Sequence, residues 1–243
     1  VVAQEPQHPA RAAARVRRVA RVDHASVTTA PIHRPRLVLA SASPGRRDVL
    51  ERAGVVPEIV VSDVDEPALL AALGPAPVAD QVLHLARAKA LDVSGRRDAF
   101  EPDRPGVVVV GCDSMLDVDG VAAGKPATAA EAKERWQRDM AGRSAVLRTG
   151  HWLVEPATGR QVGEVASTTV WHGTPTDAEL DAYIATGEPL RVAGAFTIDG
   201  LGGPFVDRID GDPSNVVGLS LPLLRRLLAD LGVRWTDLWE PRT

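Results

Sequence analysis

Cysteine and aromatic residues are scarce in this 243-residue chain, and each scarcity excludes a class of protein. The single cysteine, Cys112, rules out an internal disulfide and any cysteine-based zinc cluster. Aromatic residues make up 4% of the chain, too few for a protein that binds single-stranded nucleic acid by stacking its bases. No apolar run approaches the roughly 20 residues of a membrane-spanning helix, so we expect no membrane partner.

Negative charge is scarce at the start of the chain. Residues 1–36 carry seven arginines against Glu5 and Asp23, a net charge of +5, whereas the whole chain carries −4. We interpret residues 1–35 as a disordered basic extension and residues 36–243 as the folded domain. The extension has no apolar core of a secretory signal, which predicts a cytoplasmic protein. The acidic remainder argues against nucleic acid as a partner.

Strand and helix signals alternate along residues 36–243, which predicts an α/β fold. Apolar runs predict strands at 37–40, 58–61 and 107–110, a hairpin at 115–123, and further strands at 145–154, 163–171 and 205–209. Helices are expected after Ser43, over 78–93, after the Thr128/Glu131 and Thr176/Glu179 capping boxes, and over 221–231.

The helix after Ser43 has an unusual first turn. Ser43 is a good N-cap, Pro44 a good first residue, and Gly54 a good terminator. Arg46 and Arg47 then lie at the positive end of the helix dipole, where an anion such as phosphate would be favoured. The alternative is that both arginines are solvated. Because Arg46→Ala removes a cation from the positive end of the helix, we expect it to weaken triphosphate binding while leaving stability nearly unchanged or slightly improved.

Carboxylates follow two of the predicted strands. Asp113 comes directly after the valine strand, where it could hold a divalent ion, take a proton from water, or simply cap the strand end. Asp63, Asp65 and Glu66 follow the second strand and are either solvated loop charges or, with Asp113, part of a magnesium or manganese site.

Two lysines complete the chemistry-bearing set. Lys125, in Gly-Lys-Pro, is an exposed charge or a phosphate ligand, and Lys89 is a surface lysine lying along an apolar helix face or a second phosphate ligand. Together with the arginines and the carboxylates, they are the groups that metal-assisted cleavage of a polyphosphate needs.

Seven sequence blocks, in order, resemble the Maf family. They are Leu39 to Arg47, Ser62 to Glu66, Leu85 to Ala90, Gly111 to Ser114, Gly124 to Pro126, Val192 to Gly203 and Gly211 to Leu219. The resemblance implies a mixed twisted sheet flanked by helices, two lobes around a cleft, and often a homodimer. It also implies hydrolysis of nucleoside triphosphates to the monophosphate and pyrophosphate with Mg²⁺ or Mn²⁺.

The resemblance also assigns roles to residues. Asp113 matches the presumed general base, and Ser41, Arg46, Glu66, Lys89 and Lys125 match other residues of the cleft. Our own hypothesis is that the triphosphate binds at the helix that begins at Ser43, with Arg46 and the lysines on its oxygens, and that Asp113 and Glu66 hold the metal ion. Because a metal-bound carboxylate is a poor base, the two roles of Asp113 are alternatives. Gly45 and Asp199 depart from the family pattern, in which the pyrimidine-preferring enzymes have arginine and glutamine. Because an ionised Asp199 only accepts hydrogen bonds, we expect a reduced preference for dTTP and UTP.

A second hypothesis is a nucleotide-binding regulator of septum formation without catalysis, since the family was first linked to septation. The presence of both the acidic and the basic candidate groups favours the enzyme.

Overall fold

The computed structural model describes residues 34–96 and 99–240. The predicted basic extension therefore lies outside the described residues except for Arg34 and Pro35. Arg34 donates hydrogen bonds to the carbonyl oxygens of Asp237 and Leu238, near the other end of the described chain. Within the described ranges, no helix combines the length and the apolar composition needed to cross a membrane.

Seven strands and seven α-helices form the described fold. The strands are β1 (Arg36–Leu39), β2 (Glu58–Ile59), β3 (Val107–Val118), β4 (Val121–Ala123), β5 (Ser144–Glu155), β6 (Arg160–His172) and β7 (Val206–Asp210). The helices are α1 (Pro44–Arg52), α2 (Glu66–Leu73), α3 (Val78–Ser94), α4 (Ala129–Arg135), α5 (Asp177–Ala185), α6 (Pro213–Val217) and α7 (Leu221–Asp230).

All seven strands belong to one mixed, open sheet. Its order is β2-β1-β3-β5-β6-β7, with β4 paired to the far end of β3. β1 runs parallel to both β2 and β3, and every other pairing is antiparallel. The expected α/β class with a mixed sheet is confirmed.

Two hydrophobic cores lie towards opposite ends of the β3–β5 ladder. One contains the β3 residues Val108, Val110 and Cys112 and the β5 residue Leu153, packed with α7. The other contains Leu116 of β3, with Ala145 and Leu147 of β5, packed with α4 and α5. The long strands β3 and β5 therefore contribute to both of these cores.

The sequence prediction placed Asp113 after a strand, and this is wrong. β3 continues through Asp113 to Val118 because β5 pairs with it from Val109 to Asp117. The predicted valine strand and the first hairpin strand are thus one element. Helix α2 and the short helix α6 were missed, and the second strand is only two residues long.

Helix α3 packs directly against the backbone of the sheet. A Cβ atom at Gly111 of β3 would lie 2.2 Å from the carbonyl oxygen of Ala86, and one at Gly150 of β5 would lie 2.2 Å from that of Val82. Only glycine permits this approach. It brings the side chain of Lys89 on α3 within reach of the sheet.

Candidate functional site

The candidate site lies at a gap along one edge of β3. β1 ends at Leu39, opposite Val110, and β4 pairs only from Leu116 onward. Residues Gly111–Met115 therefore pair with β5 on one side and with no strand on the other, among the residues described. Polar side chains can reach this open edge from both faces of the sheet because successive residues of a strand alternate.

Lys89 and two carboxylates form a buried group on the α3 side of β3. The Lys89 Nζ lies 2.6 Å from Asp113 Oδ1 and 2.7 Å from Glu66 Oε1. The side chains of Lys89 and Asp113 are only 9% and 10% exposed, whereas Glu66 is 47% exposed. Of the two alternatives for Lys89, a surface lysine is wrong. Glu66 and Asp113, predicted as metal ligands, both contact the Lys89 ammonium.

The pKa of Asp113 is raised above its ordinary value because burial disfavours the charged form, although Lys89 and Arg46 oppose this. A raised pKa makes the carboxylate a stronger base. Buried ion pairs contribute little net stability, since the cost of desolvating both charges offsets their attraction. A perturbed carboxylate paired with a buried lysine is therefore better explained by chemistry than by stability.

Arg46 approaches the same edge from α1. Its side chain is buried, and it donates to Gly218 O at 2.8 Å, Ser41 Oγ at 2.9 Å and Ser114 Oγ at 3.1 Å. Since Ser114 follows Asp113 on the strand, Arg46 and Lys89 flank one short segment of β3. Arg46 bonds to neutral oxygens in all three contacts, so its charge remains available to a ligand.

Only one of the two arginines belongs to the site. Arg47 is half exposed and pairs with Glu51 at 3.5 Å, so its neighbour alone fits the anion-binding prediction. Ser43 is the N-cap as predicted, since its Oγ accepts from the backbone N–H of Arg46 at 3.4 Å. Ser41 is buried between Arg46 and the backbone N–H of Ser43.

A second layer of polar residues supports Arg46. Ser114 Oγ lies 2.9 Å from Thr149 Oγ1 on β5, where the register places these two residues opposite each other. The Thr149 carbonyl lies 3.0 Å from Nδ1 of His151, whose Nε2 accepts from the backbone N–H of Ser220 at 2.9 Å. The proton of the neutral ring is therefore on Nδ1. This chain of contacts was not predicted from the sequence.

We expect His151 to weaken the fold in acid. Burial lowers the pKa of His151 to about 4, and protonation would destroy its acceptor for the N–H of Ser220. Between about pH 6.5 and 4 the unfolded chain binds a proton that the folded chain refuses, so stability falls as the pH falls. A shift of this size corresponds to about 3 kcal/mol. Because burial also lowers the pKa of His172 to about 4, the contribution of His151 is measured as the difference in urea unfolding between the wild type and a His151 variant.

The matched variant for this prediction is His151→Gln, which retains a donor and an acceptor but does not titrate. The free energy of unfolding of the variant should fall less steeply in acid than that of the wild type. His84→Gln, at a half-buried histidine on α3, is the control. Equal slopes for wild type and His151→Gln would contradict the prediction.

Three predicted site residues are not joined to this group. Lys125 and Asp199 are exposed, and neither makes a hydrogen bond or ion pair with another described residue. Lys125 lies two residues beyond β4, at the far end of the gap. Gly45 packs closely against α6, because a Cβ atom at this position would lie 3.1 Å from Val217 Cγ1.

Among the described residues, the carboxylates near the site do not form a cluster. Asp63 and Asp65 make no contact with Asp113, and Asp65 caps α2 by accepting from the N–H of Ala68 at 3.0 Å. No group of three or more His, Cys, Asp or Glu residues converges within the described ranges. Asp113 Oδ1 and Glu66 Oε1 are both paired with Lys89 Nζ. In number and type, the two carboxylates match the one or two that Mg²⁺ takes when substrate phosphates complete its shell.

Fold and site together define the class of protein: an open-sheet α/β protein with a buried arginine, lysine and carboxylate group at a gap beside its central strand. The chain belongs to the Maf-like protein family, whose model matches residues 36–231. The family resemblance drawn from the sequence blocks is confirmed.

Curated relatives match over nearly their whole length. A Streptomyces coelicolor protein is 56% identical over 211 residues, covering 87% of this chain and 98% of the relative. A Nocardia farcinica protein is 57% identical over 209 residues, covering 84% and 96%, and a Salinispora tropica protein is 55% identical over 209 residues, covering 86% and 89%. Each of these relatives is named nucleoside triphosphate pyrophosphatase.

Proposed function

We propose that this chain is a nucleoside triphosphate pyrophosphatase, which releases a nucleoside monophosphate and pyrophosphate. The observation that carries the proposal is the buried Lys89–Asp113 pair beside Arg46 at the gap in the sheet. Cations on both sides of one strand segment suit a polyphosphate, and the carboxylate between them suits activation of water. The name shared by relatives at about 55% identity supports the same reaction.

Each residue has a proposed role. Arg46 binds phosphate oxygens, with Ser41, Ser43 and the N-terminal N–H groups of α1 beside it. Lys125 binds the departing pyrophosphate from the far end of the gap. Lys89 occupies Oδ1 of Asp113, while Oδ2 accepts no hydrogen bond from the described residues and faces the attacking water.

The chemical step is hydrolysis at the α-phosphorus. The oxygen of water bonds to this phosphorus, the bond to the bridging α–β oxygen breaks, and the electron pair leaves with pyrophosphate. In this step Asp113 accepts the proton of the water through Oδ2. A bound Mg²⁺ or Mn²⁺ would polarise the α-phosphate, and Glu66 with Asp113 would hold it. Since a carboxylate that holds the ion is a poor base, the base role and the metal-ligand role of Asp113 are alternatives.

The product distinguishes this reaction from other phosphatase activities. Purified protein is incubated with a panel of nucleoside triphosphates and Mg²⁺ or Mn²⁺, and pyrophosphate and orthophosphate are assayed separately. The proposal requires pyrophosphate as the product and its loss on chelation. Orthophosphate alone would overturn the proposal.

The base preference is a further expectation. Asp199 is exposed in the loop between Gly194 and Gly203, which Tyr183 holds through a 3.2 Å hydrogen bond from the N–H of Thr197. As a pure acceptor, Asp199 favours base edges that donate and disfavours the O4 carbonyl of thymine or uracil. When kcat/KM is measured for a panel of nucleoside triphosphates, the values for dTTP and UTP should be little higher than the others. Asp199→Gln should raise the values for dTTP and UTP relative to the others. Strong dTTP and UTP selectivity retained in Asp199→Ala would refute this role.

A further inference from the structure

Arg135, the last residue of α4, is buried although the end of a short helix is ordinarily exposed to solvent. It is 8% exposed. Its Nη2 pairs with Glu131 Oε1 at 2.7 Å, one turn earlier. Its Nη1 donates to the carbonyl oxygen of Gly124, eleven residues earlier and outside the helix.

The Gly124 carbonyl belongs to the peptide group that precedes Lys125. The same oxygen accepts from the backbone N–H of Gly194 at 3.2 Å. Glu131, held by Arg135, accepts from the N–H of Ala127 at 2.8 Å on the other side of Lys125. Arg135 and its partner carboxylate therefore fix the backbone on both sides of a lysine whose own side chain is exposed.

The backbone after α4 strengthens the same attachment. The chain continues as a π-helical turn, Trp136–Met140, and the buried Trp136 donates from Nε1 to Ala195 O at 2.7 Å. Ala195 has a φ of 59°, a conformation that a non-glycine residue adopts only when its surroundings enforce it. One helix end thus holds the loop that bears Lys125 and the start of the loop that bears Asp199.

We propose that Arg135 is a positioning residue for Lys125: it holds the Gly124–Lys125 peptide so that the lysine ammonium meets the pyrophosphate end of the substrate. This inference rests on the proposed function. Arg135 touches neither substrate nor Asp113. It acts through Lys125, because a lysine side chain has four rotatable bonds and only a fixed backbone limits where its charge lies.

The test is a double-mutant cycle between Arg135→Met and Lys125→Ala, read in two ways. The first readout is kcat/KM for pyrophosphate release, and the second is the Kd for inorganic pyrophosphate by calorimetry. Arg135→Met should weaken both about tenfold in the wild-type background but less than about twofold when Lys125 is already alanine. Arg135→Lys, which keeps the charge but has one nitrogen for the two partners, should recover part of the loss.

Arg138→Met is the matched control, since this arginine lies three residues after Arg135 and its side chain is 64% exposed. It should leave both readouts unchanged. If Arg135→Met does not fold, the cycle is run with Arg135→Lys against Lys125→Ala, and the same lack of additivity is expected.

The outcomes separate the two proposals. Equal losses from Arg135→Met in both backgrounds, in an enzyme that releases pyrophosphate, would overturn the positioning role alone. A wild-type protein that neither releases nor binds pyrophosphate would overturn the proposed function, and the positioning role with it.

Discussion

Asp113→Asn should lower kcat/KM for pyrophosphate release by about a thousandfold while the protein stays folded. The amide preserves the shape of the side chain but cannot take a proton or carry the negative charge that a metal ion needs. The fold should survive because Lys89 keeps Glu66 as its ion-pair partner at 2.7 Å and because the amide oxygen of asparagine can still accept a hydrogen bond from the ammonium.

Steady-state kinetics over the nucleotide panel, with a melting curve for each protein, measures this effect. Asp117→Asn is the matched control: Asp117 is on the same strand and also largely buried, but it pairs with Arg148 and not with Lys89. It should keep its activity. If the Asp113 variant had the kcat/KM of the wild type, a group other than Asp113 would have to act as the catalytic base. If control of septation persisted in cells while hydrolysis was lost, the regulatory hypothesis would gain instead.

Arg46→Met should weaken both the substrate complex and the fold. Removing the guanidinium takes a donor from Ser41 Oγ, Ser114 Oγ and the Gly218 carbonyl. The two hydroxyls keep a second partner, the N–H of Ser43 and the hydroxyl of Thr149. We expect the free energy of unfolding to fall by about 2–4 kcal/mol, because three hydrogen bonds are lost and the Gly218 carbonyl loses the guanidinium donor. This replaces the expectation of unchanged stability, which considered only the helix dipole.

The kinetic effect of Arg46→Met should be an increase in KM of at least about tenfold, because a charge-assisted contact to phosphate is lost. Arg46→Lys should recover part of the binding but little of the stability, since an ammonium cannot reproduce three diverging hydrogen bonds. Arg47→Met, one residue further along α1, is the control and should change stability by less than about 0.5 kcal/mol. A ligand-free melting temperature equal to that of the wild type would contradict the structural role of Arg46.

Local signals in the sequence predicted the helix ends well. Ser43 caps α1, Gly54 follows its end with a φ of 83°, and Thr176 with Glu179 forms a complete capping box. Such features depend on residues a few positions apart, so the sequence contains all that is needed. The open α/β sheet also followed from the alternation of elements, and the family blocks supplied its mixed pairing.

The depth of each site residue was harder to predict. Arg46 and Arg47 are neighbours in one helix turn, and only the tertiary position of α1 decides which of them is buried. Lys89 is buried because Gly111 lets α3 approach the sheet, a contact between distant residues that helical periodicity does not reveal. In the same way, the sequence does not indicate that Arg135 is buried and Arg138 exposed.

The long strand β3 shows a third limit. The sequence predicted two strands here, one at the valines 107–110 and one at 115–118, because the polar residues Asp113 and Ser114 interrupt the apolar pattern. In the structure, pairing with β5 continues through that segment. The polar residues that were predicted to follow the strand are therefore the residues of β3 that form the candidate site.

Hydrolysis in isotopically labelled water tests most directly whether the group around Asp113 directs water to the α-phosphorus. The products of one nucleoside triphosphate are separated, and the heavy oxygen is located by mass spectrometry. We predict that the label enters the nucleoside monophosphate and is absent from pyrophosphate. Label in pyrophosphate or in orthophosphate would place the attack at another phosphorus and contradict the proposed chemistry.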